Sequence, residues 1–430
     1  KILSLSAVSI FLLSIVLLCS CNQQKKVSMI VYNANIYTVD SAFSTAEAMA
    51  IEDGKILETG TTDYILGNYK SDNKIDVSGK AIFPGFIDAH CHFTGFATDS
   101  WKCELTGTSS FEEIISKIKA YSTNAPMYWI YGRGWDQNDW TIKNYPDNTE
   151  LNTLFPDRPV LLTRIDGHAA IANQKALMLA GITGKENIIG GEVESSNHKL
   201  TGILIDNAVD LVSSKIPEKT EEEFRMAISK AQENCFAMGL TTLNDCGLDF
   251  EVVEKLKKLQ EENFLRMRLY IMLSDKAANY EYAQKKGKLI GDRLTVRSFK
   301  VYGDGALGSR GACLLQPYND RANHYGFLLS NAGHYDSVAS WCFKNGWQMN
   351  THAIGDSTNS IVLKMYQKVF EKNTALIITW GGLRGGLSIA LALNLPDSIG
   401  TGKDLILILT YGVVLFTILV QGLTLKKIVK

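Results

Sequence analysis

The sequence predicts an α/β protein: an incomplete (β/α)8 TIM-like barrel with a small N-terminal β domain, followed by two transmembrane helices. Three observations carry this. Apolar strand-like runs alternate with amphipathic helical ones through the middle of the chain, short strands and tight turns precede them, and two apolar blocks come after. Of 430 residues, 46% are hydrophobic and 21% charged, enough for a sizeable core and too apolar for a disordered chain. Lysine plus arginine number 44 against 45 acidic residues, so no basic field exists to neutralise phosphates and no nucleic-acid partner is expected. The eight cysteines include no Cys-x-x-Cys pair, and they define neither a disulfide scaffold nor a zinc ribbon.

Residues 1–21 read as a lipoprotein signal peptide. Ile2 to Leu18 is almost wholly apolar but short for a membrane span, and Leu18-Cys19-Ser20-Cys21 resembles a bacterial lipobox with Cys21 as the lipidated residue. The plain alternative is an uncleaved anchor helix. Lipidation would place the barrel on the extracytoplasmic side of a membrane.

Residues 27–80 read as an N-terminal β-sandwich segment, with strand-like runs at Ala48 to Ile51 and Lys55 to Leu57 around the tight-turn pair Asp53-Gly54. Residues 81–373 read as a truncated barrel carrying an insert. Its strand-like runs are Ala81 to Ala89, Val160 to Arg164, Thr241 to Asp245, Leu269 to Leu273, Thr295 to Tyr302 and Gln348 to Thr351, with helical stretches such as Glu221 to Met238 and Phe250 to Asn263. Residues 374–430 hold the two apolar blocks, Ala375 to Leu395 with Arg384 as its one charge, and Leu405 to Leu425 with none. The second has a transmembrane length and is followed by Lys426, Lys427 and Lys430.

The chemistry begins at Phe83-Pro84-Gly85-Phe86-Ile87-Asp88-Ala89-His90-Cys91-His92. Side chains alternate along a strand, so His90 and His92 share a face and can share one metal. On a surface strand the same pair is merely solvated, but here it ends an apolar strand, where barrel enzymes place their active sites. Lys300 lies inside the apolar run Val296 to Tyr302. A lysine there either snorkels to the surface, the commoner outcome, or loses its charge, and a neutral amine can add carbon dioxide to become an oxygen ligand. His352 ends a third strand-like run. Alone it is an ordinary histidine; with two other such sites at strand ends it is a candidate ligand.

Four segments together resemble the metal-dependent amidohydrolase superfamily, and within it amidohydrolase family 3, the group of YtcJ-like proteins and N-substituted formamide deformylases. They are Phe83 to His92, Leu162 to Asn173 with its Arg164-Ile165-Asp166-Gly167-His168 core, Phe299 to Arg310, and Thr351 to Asp356. The resemblance spans about Val27 to Asn373. It implies that His90 and His92 bind one divalent metal, that Lys300 is a carbamylated bridge and that His352 binds a second ion; zinc suits such donors, although manganese or iron is equally compatible with the sequence. It implies hydrolysis of a carbon–nitrogen bond other than a peptide bond in a small amide-like substrate, by a metal-activated water. It places Arg164, Asp166, His168 and Asn173, together with Tyr302 and Asp304, beside the substrate, where the residues alone read equally as a strand-to-loop polar cluster. Tyr128 to Trp135 either lines the pocket or is core.

After His352 the chain contains no further histidine, and its later aspartates are Asp356, Asp397 and Asp404. The family's next histidine ligand and its strand-end aspartate, the proton carrier, are therefore unmatched, no catalytic acid or base is assigned, and barrel strands six to eight are expected to be missing, with activity crippled. The C-terminal blocks resemble another family. Thr379 to Leu393 and Thr410 to Thr424 are similar to the last two transmembrane helices of a cation:proton antiporter-1 family sodium/proton antiporter. Alternative readings are a sodium/proton antiporter-like membrane fragment, contacting lipid through these helices as the barrel would through Cys21, or a non-functional join of two genes.

Overall fold

The computed structural model describes residues 24–124, 128–369, 386–395 and 400–424, which divide into two compact units between Phe86 and Ile87. The lipobox cysteine Cys21 and residues 375–385 of the first apolar block lie outside the described residues.

The N-terminal unit is built from short strands. Ala48–Glu52 and Lys55–Gly60 form a hairpin whose turn residues Asp53 and Gly54 both have positive φ, 49° and 70°, the geometry that makes an Asp-Gly turn follow the strand twist. This hairpin continues through Met29–Tyr32 to Lys74–Asp76 in a four-stranded sheet, and a second sheet joins Thr45–Ala46, Asn35–Tyr37 and Ala81–Ile82. Ile30, Ala48, Ala50 and Ile65 form its buried centre.

The second unit holds a curled parallel sheet of β1 (Phe86–Cys91), β2 (Leu240–Leu248), β3 (Arg268–Ser274), β4 (Leu294–Tyr302) and β5 (Gln348–His352), hydrogen-bonded in that order. Among the described residues, β1 and β5 each have one parallel neighbour, so the barrel does not close. The single strand expected over Ala81 to Ala89 is two. Pro84 has no N–H for a ladder, and the chain breaks at Pro84-Gly85, leaving Ala81–Ile82 in the N-terminal unit and starting β1 at Phe86. Helices Glu221–Ala237 and Phe250–Glu261 lie where their periodicity predicts. The first opens with a capping box between Thr220 and Glu223. These helices, with Ala332–Asn345 and Asp356–Val369, cover a core that includes Ile228, Leu256, Ile271, Phe299 and Val362.

An insert between β1 and β2 forms its own six-stranded sheet, ordered Cys103–Glu104, Ile130–Trp135, Val160–Arg164, Ala169–Ala172, Lys199–Asp206 and Gly191–Ser196. All five residues of Val160–Arg164 are buried because two hydrophobic cores, one on each face, cover the sheet. Trp129 and Trp135 belong to those cores, so the aromatic run is mainly packing.

The tail departs from the expected pair of membrane helices. Gly402–Gly422, 21 residues with a mean hydropathy of 2.3, is the one helix among the described residues long and apolar enough to cross a membrane. In the first block the described helix is Gly386–Leu393, and residues 375–385 before it lie outside the described residues.

Candidate functional site

A cavity of about 750 Å3 opens at the C-terminal ends of β1, β4 and β5 and is roofed by the insert. His90 is on β1. His92 has already left the strand and stands at the start of helix Phe93–Asp99, yet the two rings remain neighbours, 5.8 Å apart and perpendicular. The Nδ1 of His92 lies 3.0 Å from the Cys246 carbonyl oxygen, an acceptor, so that nitrogen carries the hydrogen and Nε2 keeps its lone pair. Partial burial, then the charge of Lys300, holds the proton affinity of His90 below that of free imidazole.

Lys300 is 3% exposed and, among the described residues, has no carboxylate partner; its Nζ lies 3.4 Å from His90 Nε2 and 5.0 Å from the centre of the Tyr302 ring. Burial lowers its proton affinity and favours the neutral amine. Snorkelling, the commoner fate for such a lysine, does not occur here. His352, at the end of β5, has a buried Nε2 with no hydrogen-bond partner among the described residues, and burial together with His168 and Lys300 pushes its proton affinity down to about 4. Its ring is 5.5 Å from that of Tyr302 and 5.2 Å from that of His168.

The substrate-side residues expected from the sequence fall into two groups. Asp166, His168 and Tyr302 line the cavity. Arg164, Asn173 and Asp304 do not, and each is spent on structure. Arg164, 2% exposed, donates through Nε to Gln137 at 2.8 Å and pairs with both Asp136 and Asp166. Asn173 is fully buried. It caps helix Gln174–Ala180, accepting from Ala176 N–H at 3.0 Å, and donates to the carbonyls of Phe155 and Arg158. Asp304 accepts the backbone N–H groups of Cys313, Ile354 and Gly355 at 2.9, 2.9 and 2.8 Å, tying the loop after β4 to the turn after β5.

Asp206 and Asp210 were not singled out in the sequence, and Arg133 only as part of the run Tyr128 to Trp135. Asp206 ends insert strand Lys199–Asp206, and its Oδ1 lies 2.6 Å from His168 Nδ1. Burial alone would lower the proton affinity of His168, but the hydrogen bond and charge of Asp206 outweigh it and raise the net value. Arg133 reaches the cavity from Ile130–Trp135, 3.6 Å from Asp99, and Asp210 lies on helix Asn207–Ser213, directly after Asp206. The pattern of polar groups at strand ends, which exposed His90 and His352, also marks Asp206. Beside the cavity, Asp245 on β2 accepts from Thr94 N–H and Oγ1 at 2.9 and 2.6 Å, and burial pushes its carboxyl up to about 6.

These side chains sit at the strand ends of a sheet whose sequence matches the family described as "Amidohydrolase family" over residues 74–375. The chain belongs to the amidohydrolase family. Protein LONG AFTER FAR-RED 3 of Arabidopsis thaliana is 30% identical over 80% of this chain and 62% of its own length, and putative amidohydrolase YtcJ of Bacillus subtilis is 30% identical over 79% and 65%. N-substituted formamide deformylase of Arthrobacter pascens is 26% identical over 81% and 67%. A metal-dependent hydrolase from Pyrococcus horikoshii has a similar structure, with a TM-score of 0.61 and 25% identity over 79% of this chain and 68% of that one. The chain thus spans about three-fifths to two-thirds of the curated relatives it matches, and membership implies a divalent metal. The tail is similar to something else. Residues 359–430 match the family "Sodium/hydrogen exchanger, transmembrane", and the Na(+)/H(+) antiporter NhaH of Halobacillus dabanensis is 60% identical over 55 residues, 13% of each protein.

Among the described residues, no three His, Cys, Asp or Glu side chains already converge as a metal-holding group. The donor set nevertheless suits such an ion. Two adjacent imidazoles of lowered basicity, an unpartnered buried imidazole nitrogen and a buried lysine without a counter-charge all face one cavity.

Proposed function

We propose that this chain is a metal-dependent amidohydrolase acting on a carbon–nitrogen bond, other than a peptide bond, of a small amide-like substrate. The observation that carries the reading is the meeting of His90, His92, Lys300 and His352 at the ends of three strands around one cavity. His90 and His92 would hold one divalent ion, zinc being the natural choice for imidazole, and Lys300 and His352 a second. Bound there, the metal would supply Lewis acidity and an activated water. The chain's own residues do the rest. His92 is fixed in one tautomer by the Cys246 carbonyl, burial shifts Lys300 toward the neutral amine that can add carbon dioxide, and Asp166 and Tyr302 orient the substrate.

Proton delivery is the weak point. The sequence after His352 offers Asp356, Asp397 and Asp404. Asp356 accepts from the backbone of Leu315 and Ser357 rather than facing the cavity, and Asp404 begins the apolar tail helix. Turnover is therefore expected to be far below that of a complete family member. The test is hydrolysis of N-acyl amines and formamides by the full chain. Slow, zinc-dependent release of amine that is lost in His90→Ala supports the reading, whereas metal-independent release, or release unaffected by His90→Ala, overturns it.

The tail reads as a membrane anchor, and Cys21 as a lipidation site on an extracytoplasmic protein. Because the match covers 13% of the antiporter, a transporter role has little support. The two family matches overlap only at residues 359–375, which favours a join of two genes in that range.

A further inference from the structure

We propose that His168, held by Asp206, is a further metal-facing imidazole that pairs with His352 to bind a divalent cation from the insert side of the cavity. The proposal rests on the reading that the cavity holds a metal, and it adds a ligand that lies outside the barrel strands.

Three observations support it. First, the Nδ1 of His168 meets the Asp206 carboxylate at 2.6 Å. An ionised carboxylate only accepts, so Nδ1 carries the hydrogen and, in the neutral ring, the lone pair is on Nε2. A carboxylate behind one imidazole nitrogen is how metal-bound histidines are oriented. Second, the backbone is shaped to keep Asp206 there. Asp206 is 8% exposed and has φ of +48°, unusual for a residue with a Cβ, and a Cβ on Gly305 or Gly311 would lie 2.2 or 2.1 Å from its Oδ2. Third, His352 Nε2 is buried without a partner among the described residues, and its ring stands 5.2 Å from that of His168, tilted by 32°. An unpartnered nitrogen beside an oriented second imidazole is poorly explained by packing, because buried polar atoms are normally satisfied. Two imidazole donors suit zinc or cobalt.

The test uses the full chain in detergent, stripped with chelator and titrated with cobalt or zinc. Stoichiometry is read by elemental analysis after gel filtration, affinity by calorimetry and coordination by the visible cobalt bands. We expect His168→Ala and His352→Ala to weaken binding at the same ion, with the double variant no worse than either single one, and Asp206→Asn to weaken it by about 10–100-fold. His168→Gln keeps the bulk and polarity of the side chain, and thermal melts of the metal-free variants separate lost binding from lost folding. Wild-type affinity and spectrum in a folded His168→Ala or His168→Gln protein would overturn this proposal alone, as would additive effects of His168→Ala and His352→Ala. Absence of binding by the unmodified chain would overturn both it and the functional reading, and loss in His90→Ala with retention in His168→Ala would leave only the latter standing.

Discussion

Lys300 Nζ lies 3.4 Å from His90 Nε2, although their strands, β4 and β1, are separated by β3 and β2. In a flat sheet three strand spacings amount to roughly 14 Å, more than two such side chains would meet at this distance without curvature. The sheet is therefore curled as a barrel wall is. Burial lowers the proton affinity of the lysine, and among the described residues no carboxylate offsets that shift.

Carbon dioxide addition to Lys300 should depend on metal. Native mass analysis of the chelator-treated chain is expected to show a free amine, since among the described residues Lys300 contacts His90 and Tyr302 and no cationic side chain that could hold a carbamate once the metal is gone. A full-occupancy adduct surviving chelation would show that the protein alone stabilises it.

Replacing Arg164 should damage folding more than binding. Its guanidinium is 2% exposed and faces two carboxylates, Asp136 and Asp166, so Arg164→Ala leaves both without their buried cation. Breaking such a buried pair costs about 3–5 kcal/mol, which denaturant titration would read as a lower midpoint. Arg164→Lys should recover only part of the loss, because one ammonium cannot reproduce the fork that also holds Gln137.

Two opposed groups, His352 and Asp245, contribute to the pH dependence of stability between pH 4 and 6.5. Folded His352 takes up its proton near pH 4 against 6.5 unfolded, so between those values the unfolded chain binds more protons and stability rises with pH. Asp245 is shifted up to about 6 from 3.8, so over that interval the folded chain binds more protons and stability falls with pH. The two slopes largely cancel between pH 4 and 6. Metal-free Asp245→Asn loses the opposing Asp245 slope, so its melting temperature should climb from pH 4 to 6.5 more steeply than that of the unmodified chain. Parallel profiles would contradict this.

Membrane attachment should survive loss of the lipobox thiol. Gly402–Gly422 is apolar over a bilayer's width, so Cys21→Ser protein is expected in the alkali-resistant membrane pellet. Release of that variant by alkaline carbonate would mean that the tail does not span.

Much of the barrel half of the site was legible because period-two alternation and strand ends are local signals. His90, His92, Lys300 and His352 each end or lie within an apolar run, and each borders the cavity. The insert half was harder to read. Asp206 reaches His168 across an antiparallel pairing of Ala169 with Ile205, a contact 38 residues apart that no local pattern announces. Arg164, Asn173 and Asp304, expected beside the substrate, do not line the cavity. Polar residues beside glycines look like binding groups, but burial commits them to the backbone and to ion pairs, and a one-dimensional pattern does not reveal burial.

The three amide hydrogens gathered by Asp304 have a mechanical consequence. Cys313 belongs to the long loop that carries Gly305 and Gly311, the glycines against Asp206, while Ile354 and Gly355 form the turn that leaves His352. One carboxylate thus locks two segments on different sides of the cavity into a single linkage. Neither can swing outward while the other stays in place without stranding buried N–H groups, so any motion that admits or releases a molecule must carry both together.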